Sequence, residues 1–308
     1  SCAAPVRHPA LVRLYNERAQ AEDPHRNPII VIPGLLGSRL VQASSGTVVW
    51  GAFGLGQVDP DTPEGARMMA LPMARHASFS ELRDEVRPNG ALDRLTYNVL
   101  GVPLELNAYY QILRVLGVGG YRDQGLAGAI DYGAQHFTCF QFDYDWRRDI
   151  VESAARLDRF IKSRAAYVKE ETRKRFGVVL QHVKFDIVAH SMGGLVARYY
   201  LRYGTQDLPE DGSLPALTWE GARHIEHLVM IGPPNAGALD ALLHLTEGIK
   251  PGTFFPTYPA AIVGTMPSAY QLLPRTRHRP VIDDNGRPVA DLYAPQLWRR
   301  NQWGLADP

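Results

Sequence analysis

Cysteine is almost missing from this sequence: 308 residues contain only Cys2 and Cys139. A disulfide framework therefore does not hold the fold. Cys139 sits inside "FTCFQF" and reads as a small buried apolar residue. Net charge is missing too. The 33 Lys and Arg are matched by 32 Asp and Glu, leaving +1. Phosphate binding needs a basic excess, so nucleic acid is excluded as a partner. No run reaches the roughly 18 apolar residues that a membrane-crossing helix needs. No basic amphipathic helix signals strong attraction to anionic lipid. Asn-x-Ser/Thr sequons, internal repeats and low-complexity tracts are all lacking.

What is present is ordinary globular composition, 45% apolar and 21% charged, on a chain long enough for a large core. Residues 1–26 read as a polar, Pro-punctuated leader. The opening "SCAAP" lacks Met, and Ser1-Cys2 is compatible with lipoprotein maturation at Cys2. That gives an expectation of an exported or cell-envelope protein, with an incidental terminal cysteine as the alternative. Residues 27–308 read as one domain.

Strand and helix signals alternate along it. "NPIIVIPGLLGSRL" at 27–40 is a continuous apolar run stopped by Pro33-Gly34, the pattern of a parallel strand covered on both faces. Residues 46–105 are rich in Gly and Pro and read as an excursion of small strands or turns. The spacing at 106–121 predicts a helix ended by glycines, and 136–149 a strand. Asp149 is a good N-cap for a helix of about 25 residues, with Ile150, Ala154, Leu157, Ile161, Ala165 and Val168 as its apolar stripe. Residues 183–189 read as a strand, 192–203 as a helix, and 224–234 as another buried strand. A helix may start within 235–248. The alternation gives an α/β fold with a mainly parallel sheet and helices on both faces.

Ala189-His190-Ser191-Met192-Gly193 fits small-x-Ser-x-Gly between an apolar strand and an apolar-periodic helix. A bend that sharp strains the serine backbone and leaves no room for side chains two residues either way. It lifts the Ser191 hydroxyl off the carboxyl edge of the sheet and aims the next N–H, that of Met192, at a developing oxyanion. The null alternative for Ser191 is a plain helix N-cap. His190 reads as a structural histidine pointing away from Ser191. A second oxyanion donor is expected from the loop after an early strand, and the backbone N–H of Leu35 in "VIPGLLGS" fills that position.

Three stretches, "VIPGLLGSRL", "FDYDWRRD" and "AHSMGGLVARYYL", together with "MIGPPNAGALDAL", resemble the lecithin:cholesterol acyltransferase family of α/β-hydrolases. The Tyr144-Asp145-Trp146-Arg147 tetrad is the most discriminating piece. The resemblance implies an α/β-hydrolase with a cap or lid insertion and an acyl-enzyme mechanism on phospholipid or other lipid esters. Water or an alcohol would be the acceptor. It needs no metal or cofactor. "TVVW" resembles the lid-loop tryptophan of the family, so Trp50 and Phe53, with Phe254 and Phe255 of the Pro-broken segment 249–275, are expected in an acyl pocket or lid at a lipid interface, with a packed cap as the alternative for 249–275. There are departures. The cysteines that bracket the animal lid loop are absent, and Leu35 stands where phospholipase-type members carry Asp. Asp145 and Arg147 read as a charge-assisted pair framing the pocket, with Trp146 packed over them.

In this fold the triad runs Ser, then Asp or Glu, then His, on later strands. After 224–232 no further strand is convincing, and "RPVIDDNGRPVADLY" reads as a turn or hairpin at Asn285-Gly286. The expectation is that acid and base lie beyond Pro308. Asp283, Asp284 or Asp291 with His278 is the alternative, against the usual chain order. The functional expectation is a serine O-acyltransferase or phospholipase. A triacylglycerol lipase or carboxylesterase, and a non-catalytic lipid-binding relative, remain as alternatives.

Overall fold

The computed structural model describes residues 17–306 apart from 52–57, 75, 80, 93, 100–101, 108, 128–129, 131, 133–135, 251–255 and 289–290. Phe53, Phe254, Phe255 and Cys2 therefore lie outside the described residues. In chain order the elements are α1 (Glu17–Gln20), β1 (Ile29–Ile32), β2 (Ser38–Gln42), β3 (Val48–Trp50), α2 (Pro63–Met69), β4 (Val86–Ala91), β5 (Arg94–Val99), β6 (Val102–Asn107) and α3 (Tyr110–Val118). Then follow β7 (Cys139–Gln141), α4 (Ile150–Phe176), β8 (Phe185–His190), α5 (Met192–Tyr203), β9 (Ile225–Ile231), α6 (Leu239–Glu247), α7 (Ala260–Val263), α8 (Pro267–Gln271) and α9 (Pro295–Asn301).

The central sheet is parallel throughout, in the order β7-β1-β8-β9. Its middle strand, β1, reads Ile-Ile-Val-Ile and is buried on both sides. Ile30 and Ile32 join Phe140, Phe185 and Ile187 on the face covered by α4 and α5, while Ile29 and Val31 pack with Leu113 of α3. Period-two alternation of apolar residues in a strand covered on both sides produces this continuous run. Helix α4 begins where Asp149 accepts the Val151 N–H at 2.7 Å and stops at Gly177 in the left-handed region. Glu152 in its first turn and Arg173, Lys174 and Arg175 in its last complement the helix dipole. Its stripe of Ala154, Leu157 and Ile161 is fully buried.

Several expectations need correction. Residues 102–107 form β6, paired with β5 in a hairpin, so the helix α3 starts only at Tyr110. The excursion contains not only small strands, with an antiparallel sheet in the order β3-β2-β4, but also helix α2. Its signal was present as Thr62-Pro63-Glu64: an N-cap, a proline at the first helical position and an acid in the first turn. Strand β9 is not buried. It sits at the sheet edge with Val229, Met230 and Ile231 at 53%, 37% and 40% exposure. Of the two readings of 249–275, the described part fits the packed cap: Tyr258, Val263 and Met266 are buried in the main core.

Arg147 ties the excursion to this frame. Its side chain is completely buried. It makes a two-pronged contact with Asp145 (Nε–Oδ1 2.9 Å, Nη2–Oδ2 2.7 Å) and a second ion pair with Asp84 at 2.7 Å. Nη1 donates to the carbonyls of Met68 and Met69 at the end of α2. The Arg147 carbonyl in turn accepts from Ser268 Oγ in α8. Burial works against the charge, but the Asp145 and Asp84 carboxylates outweigh it and hold the guanidinium above its ordinary pKa. The expected Asp145–Arg147 pair is therefore present, and it reaches further than the pocket rim. Arg147→Leu leaves two carboxylates largely buried without their cation. The expected cost is about 3–5 kcal/mol, read from the urea unfolding midpoint.

Candidate active site

The strand β8 ends at His190 and the helix α5 begins at Met192, so a single residue makes the whole reversal. That residue, Ser191, has φ 49° and ψ −124°, a region that a non-glycine residue rarely occupies. The bend is held by hydrogen bonds. Ser191 N–H donates to the Ile231 carbonyl at the end of β9, and Gly194 N–H to the Ser191 carbonyl, each at 2.9 Å. The motif's small residues are needed sterically. A Cβ on Gly193 would lie 2.4 Å from the Pro33 carbonyl oxygen and 2.7 Å from that of Ile32. A Cβ on Gly34 would lie 2.8 Å from the Ser191 Cβ. The loop after β1 and the bend after β8 are thus in direct contact, because β1 and β8 are neighbours in register.

The loop 33–38 is fixed by aromatic side chains. Tyr144 donates its hydroxyl to the Pro33 carbonyl at 2.9 Å. Trp50 Nε1–H donates to the Leu36 carbonyl at 2.8 Å and Trp146 Nε1–H to the Ser38 carbonyl at 3.1 Å. Gly34 N–H donates to the Tyr109 hydroxyl at 2.8 Å. Within the loop, Gly37 N–H closes a turn on the Gly34 carbonyl at 3.1 Å, and Leu36 takes a positive φ of 63°. Burial, with Tyr109 close by, raises the Tyr144 hydroxyl well above its ordinary pKa, so it stays a donor. Among the described residues no acceptor takes the backbone N–H of Leu35 or of Met192, the first residue of α5. Two free amide donors on adjoining backbone turns beside a serine hydroxyl are what an acyl-transfer site requires.

Each expected residue can now be placed. Ser191 and Met192 follow β8 at the carboxyl edge of the sheet, where Gly34, the residue before Leu35, lies against Ser191. Trp50 packs against Tyr258 of the segment 249–275 and is buried. It is 2% exposed, and its ring packs edge-on to Trp146 at 5.5 Å and to Tyr258 at 5.3 Å between centroids. It belongs to the frame because its N–H is used on Leu36. Trp146 is engaged with Trp50 and Ser38. His190 is the structural histidine expected, with Nδ1 2.9 Å from the Tyr109 hydroxyl; burial lowers its pKa. Tyr109, as a holder of the loop, was not foreseen from sequence, whereas Tyr144 belongs to the tetrad read as structural.

Among the described residues no side chain hydrogen-bonds Ser191. The alternative acids are used elsewhere: Asp283 caps the Asn285-Gly286 turn and Asp291 accepts from Thr276 and Tyr293. Arg277 Nε donates to His278 Nε2. No group of three His, Cys, Asp or Glu among the described residues is placed to hold a metal ion. No helix among them is long and apolar enough to cross a membrane. An apolar cavity of about 250 Å³ opens between residues 71–82 and 264–270, but Ser191, Leu35 and Met192 do not line it.

The profile of one protein family, described as lecithin:cholesterol acyltransferase, matches residues 129–285, half of the chain, including Tyr144-Asp145-Trp146-Arg147 and the Ser191 bend. The chain belongs to the lecithin:cholesterol acyltransferase family. Among solved structures, the crystal structure of the Tle4–Tli4 complex contains a chain that superposes with a TM-score of 0.51 at 18% identity. The match covers 89% of this chain and 62% of that one, and supports the α/β-hydrolase fold. Comparison with curated proteins finds no match.

Ser191→Gly is expected to stabilise the fold. Relief of about 1–3 kcal/mol of backbone strain exceeds the entropy penalty of about 0.5–1 kcal/mol for glycine, so the urea midpoint rises. Gly193→Ala is expected to lower it, since the new methyl meets carbonyl oxygens of the rigid β1 end.

Proposed function

We propose that this protein is a serine-dependent O-acyltransferase or phospholipase acting on lipid esters through an acyl-enzyme on Ser191. The observation that carries the reading is the strained Ser191 bend held against a loop with an unused amide donor. Family membership supports lipid esters as the substrate class. In the proposed reaction Ser191 Oγ attacks the ester carbonyl carbon while its proton passes to a base. The carbonyl oxygen takes up the charge between the Leu35 and Met192 N–H groups. The alkoxide leaving group departs with a proton and leaves the acyl group on Ser191. Water or an alcohol then takes the acyl group by the same route in reverse.

The base and its orienting acid are proposed to stand on chain that packs against β9. A neighbouring strand there would cover Val229, Met230 and Ile231 and bring its carboxyl end beside Ser191. The same reading places the substrate at a lipid interface.

A fluorophosphonate probe is expected to label the native protein at Ser191. Ser191→Ala abolishes labelling, whereas Ser213→Ala, on an exposed loop, labels at the wild-type rate. Incubation with phospholipid vesicles and a long-chain alcohol then separates the activities. Acyl ester with lysophospholipid means transfer, and free fatty acid means hydrolysis. Turnover of triacylglycerol alone would replace the phospholipid reading with a lipase.

A further inference from the structure

Tyr109 lies just before α3, far from Ser191 in sequence, yet its hydroxyl stands between the two turns that carry the proposed oxyanion donors. On one side it accepts the Gly34 N–H at 2.8 Å. On the other it lies 2.9 Å from His190 Nδ1. Gly34 precedes Leu35, and His190 precedes Ser191 and Met192. The rings of Tyr109 and His190 meet edge to face with centroids 5.5 Å apart, and Tyr109 is only 7% exposed. A buried hydroxyl has one proton to give. Its oxygen already receives the Gly34 N–H, so its own O–H must find an acceptor, and His190 Nδ1 is the one in reach. This fixes the imidazole as the tautomer with Nδ1 bare and the proton on Nε2. Burial lowers the His190 pKa, which favours the neutral ring.

We propose that Tyr109 and His190 are positioning residues: a relay from Gly34 N–H to Tyr109 to His190 Nδ1 sets the distance between the Leu35 and Met192 amides. The proposal rests on the reading of Ser191 as nucleophile for its consequence, but its geometry stands apart from it. The two donors sit on different strands' ends, and a displacement of about 1 Å between them degrades the stabilisation of a shared oxyanion. Packing alone holds the loop against the bend from one direction, through the close approach of Gly34 to Ser191. The hydrogen-bonded relay holds it from the other.

The test uses the native protein, with the fluorophosphonate probe and a p-nitrophenyl ester. Tyr109→Phe and His190→Leu are each expected to lower the Ser191 phosphonylation rate and kcat about tenfold with KM little changed. The double variant is expected to lose no more than either alone, because both break one relay. Asn in place of His presents an oxygen where Nδ1 was, so His190→Asn is expected to recover most of the loss seen in His190→Leu. In ¹⁵N spectra the His190 Nδ1 should resonate as a non-protonated nitrogen. The Leu35 and Met192 amide signals should both shift in Tyr109→Phe and in His190→Leu, and much less in His190→Asn. A protonated Nδ1, full activity of Tyr109→Phe, or equal losses in the Asn and Leu variants overturns the relay. Should Tyr109→Phe not fold, the two His190 variants and the nitrogen resonance decide. If the wild-type protein is not labelled at Ser191, the proposed function falls, and the amide and nitrogen shifts still judge the relay.

Discussion

Two backbone turns touch with no space for one methyl group between them, and the organisation of the site follows from that contact. Gly34 lies against Ser191, and Gly193 against the carbonyls of Ile32 and Pro33. Neither turn can relax without striking the other. Adjacent parallel strands, β1 and β8, end at the same level, so the approach is a consequence of register rather than of any side-chain attraction. A serine in a sparsely populated conformation needs its surroundings to over-determine it. Here they do so from two sides, through the loop above and the hydrogen bond to Ile231 of β9.

The loop itself carries no regular structure, and its polar backbone would be costly to bury unpaired. The chain meets that cost with aromatic side chains from distant segments: Trp50 from β3, Tyr109 ahead of α3, Tyr144 and Trp146 after β7. Each supplies a single polar group at the tip of a large apolar body. Apolar burial and backbone satisfaction are thereby achieved by the same residue. Arg147 performs the complementary task one layer out. It gathers Asp145, Asp84 and the end of α2, and through its own carbonyl reaches α8. A buried arginine with every contact specified is an expensive way to gain stability alone. As a fixture for relative placement it suits a fold in which an irregular excursion must meet a strand-end loop.

What was legible in the sequence was local. The Ser191 bend, the α4 cap at Asp149, the α5 span and the strand β1 all have signals within a few residues of themselves. The Tyr144–Arg147 tetrad could be read as structural because two opposite charges flank a tryptophan. What escaped was set by partners distant in the chain. Nothing in "AYYQI" says that Tyr109 will meet Gly34 and His190. The apolar run of β9 signals that cover is wanted, but not whether the cover is present, which is why a strand read as buried lies at an edge. The helix expected from 106 begins only at Tyr110, because Leu106 and Asn107 pair with Leu95 and Arg94 of β5. The likeness that marked Trp50 could not say that its indole N–H would be spent on the Leu36 carbonyl.

Leu35 shows why a departure in side chain need not alter the chemistry. The resemblance led to an expected acid at this point of the loop, as in phospholipase-type members, yet the proposed duty falls to the peptide N–H, which any residue but proline supplies. The position constrains the side chain only through where it must go. Here Leu35 and Leu36 pack against the main hydrophobic core, adding an apolar anchor to a loop otherwise held by hydrogen bonds. An aspartate could not be anchored in this way without a partner, since burying an unpaired carboxylate is far costlier than burying an isobutyl group. Leucine in place of an acid therefore changes how the loop is seated and its charge, while the amide donor remains. Differences from charged members of the family should then appear in headgroup preference, not in the acyl-transfer step itself.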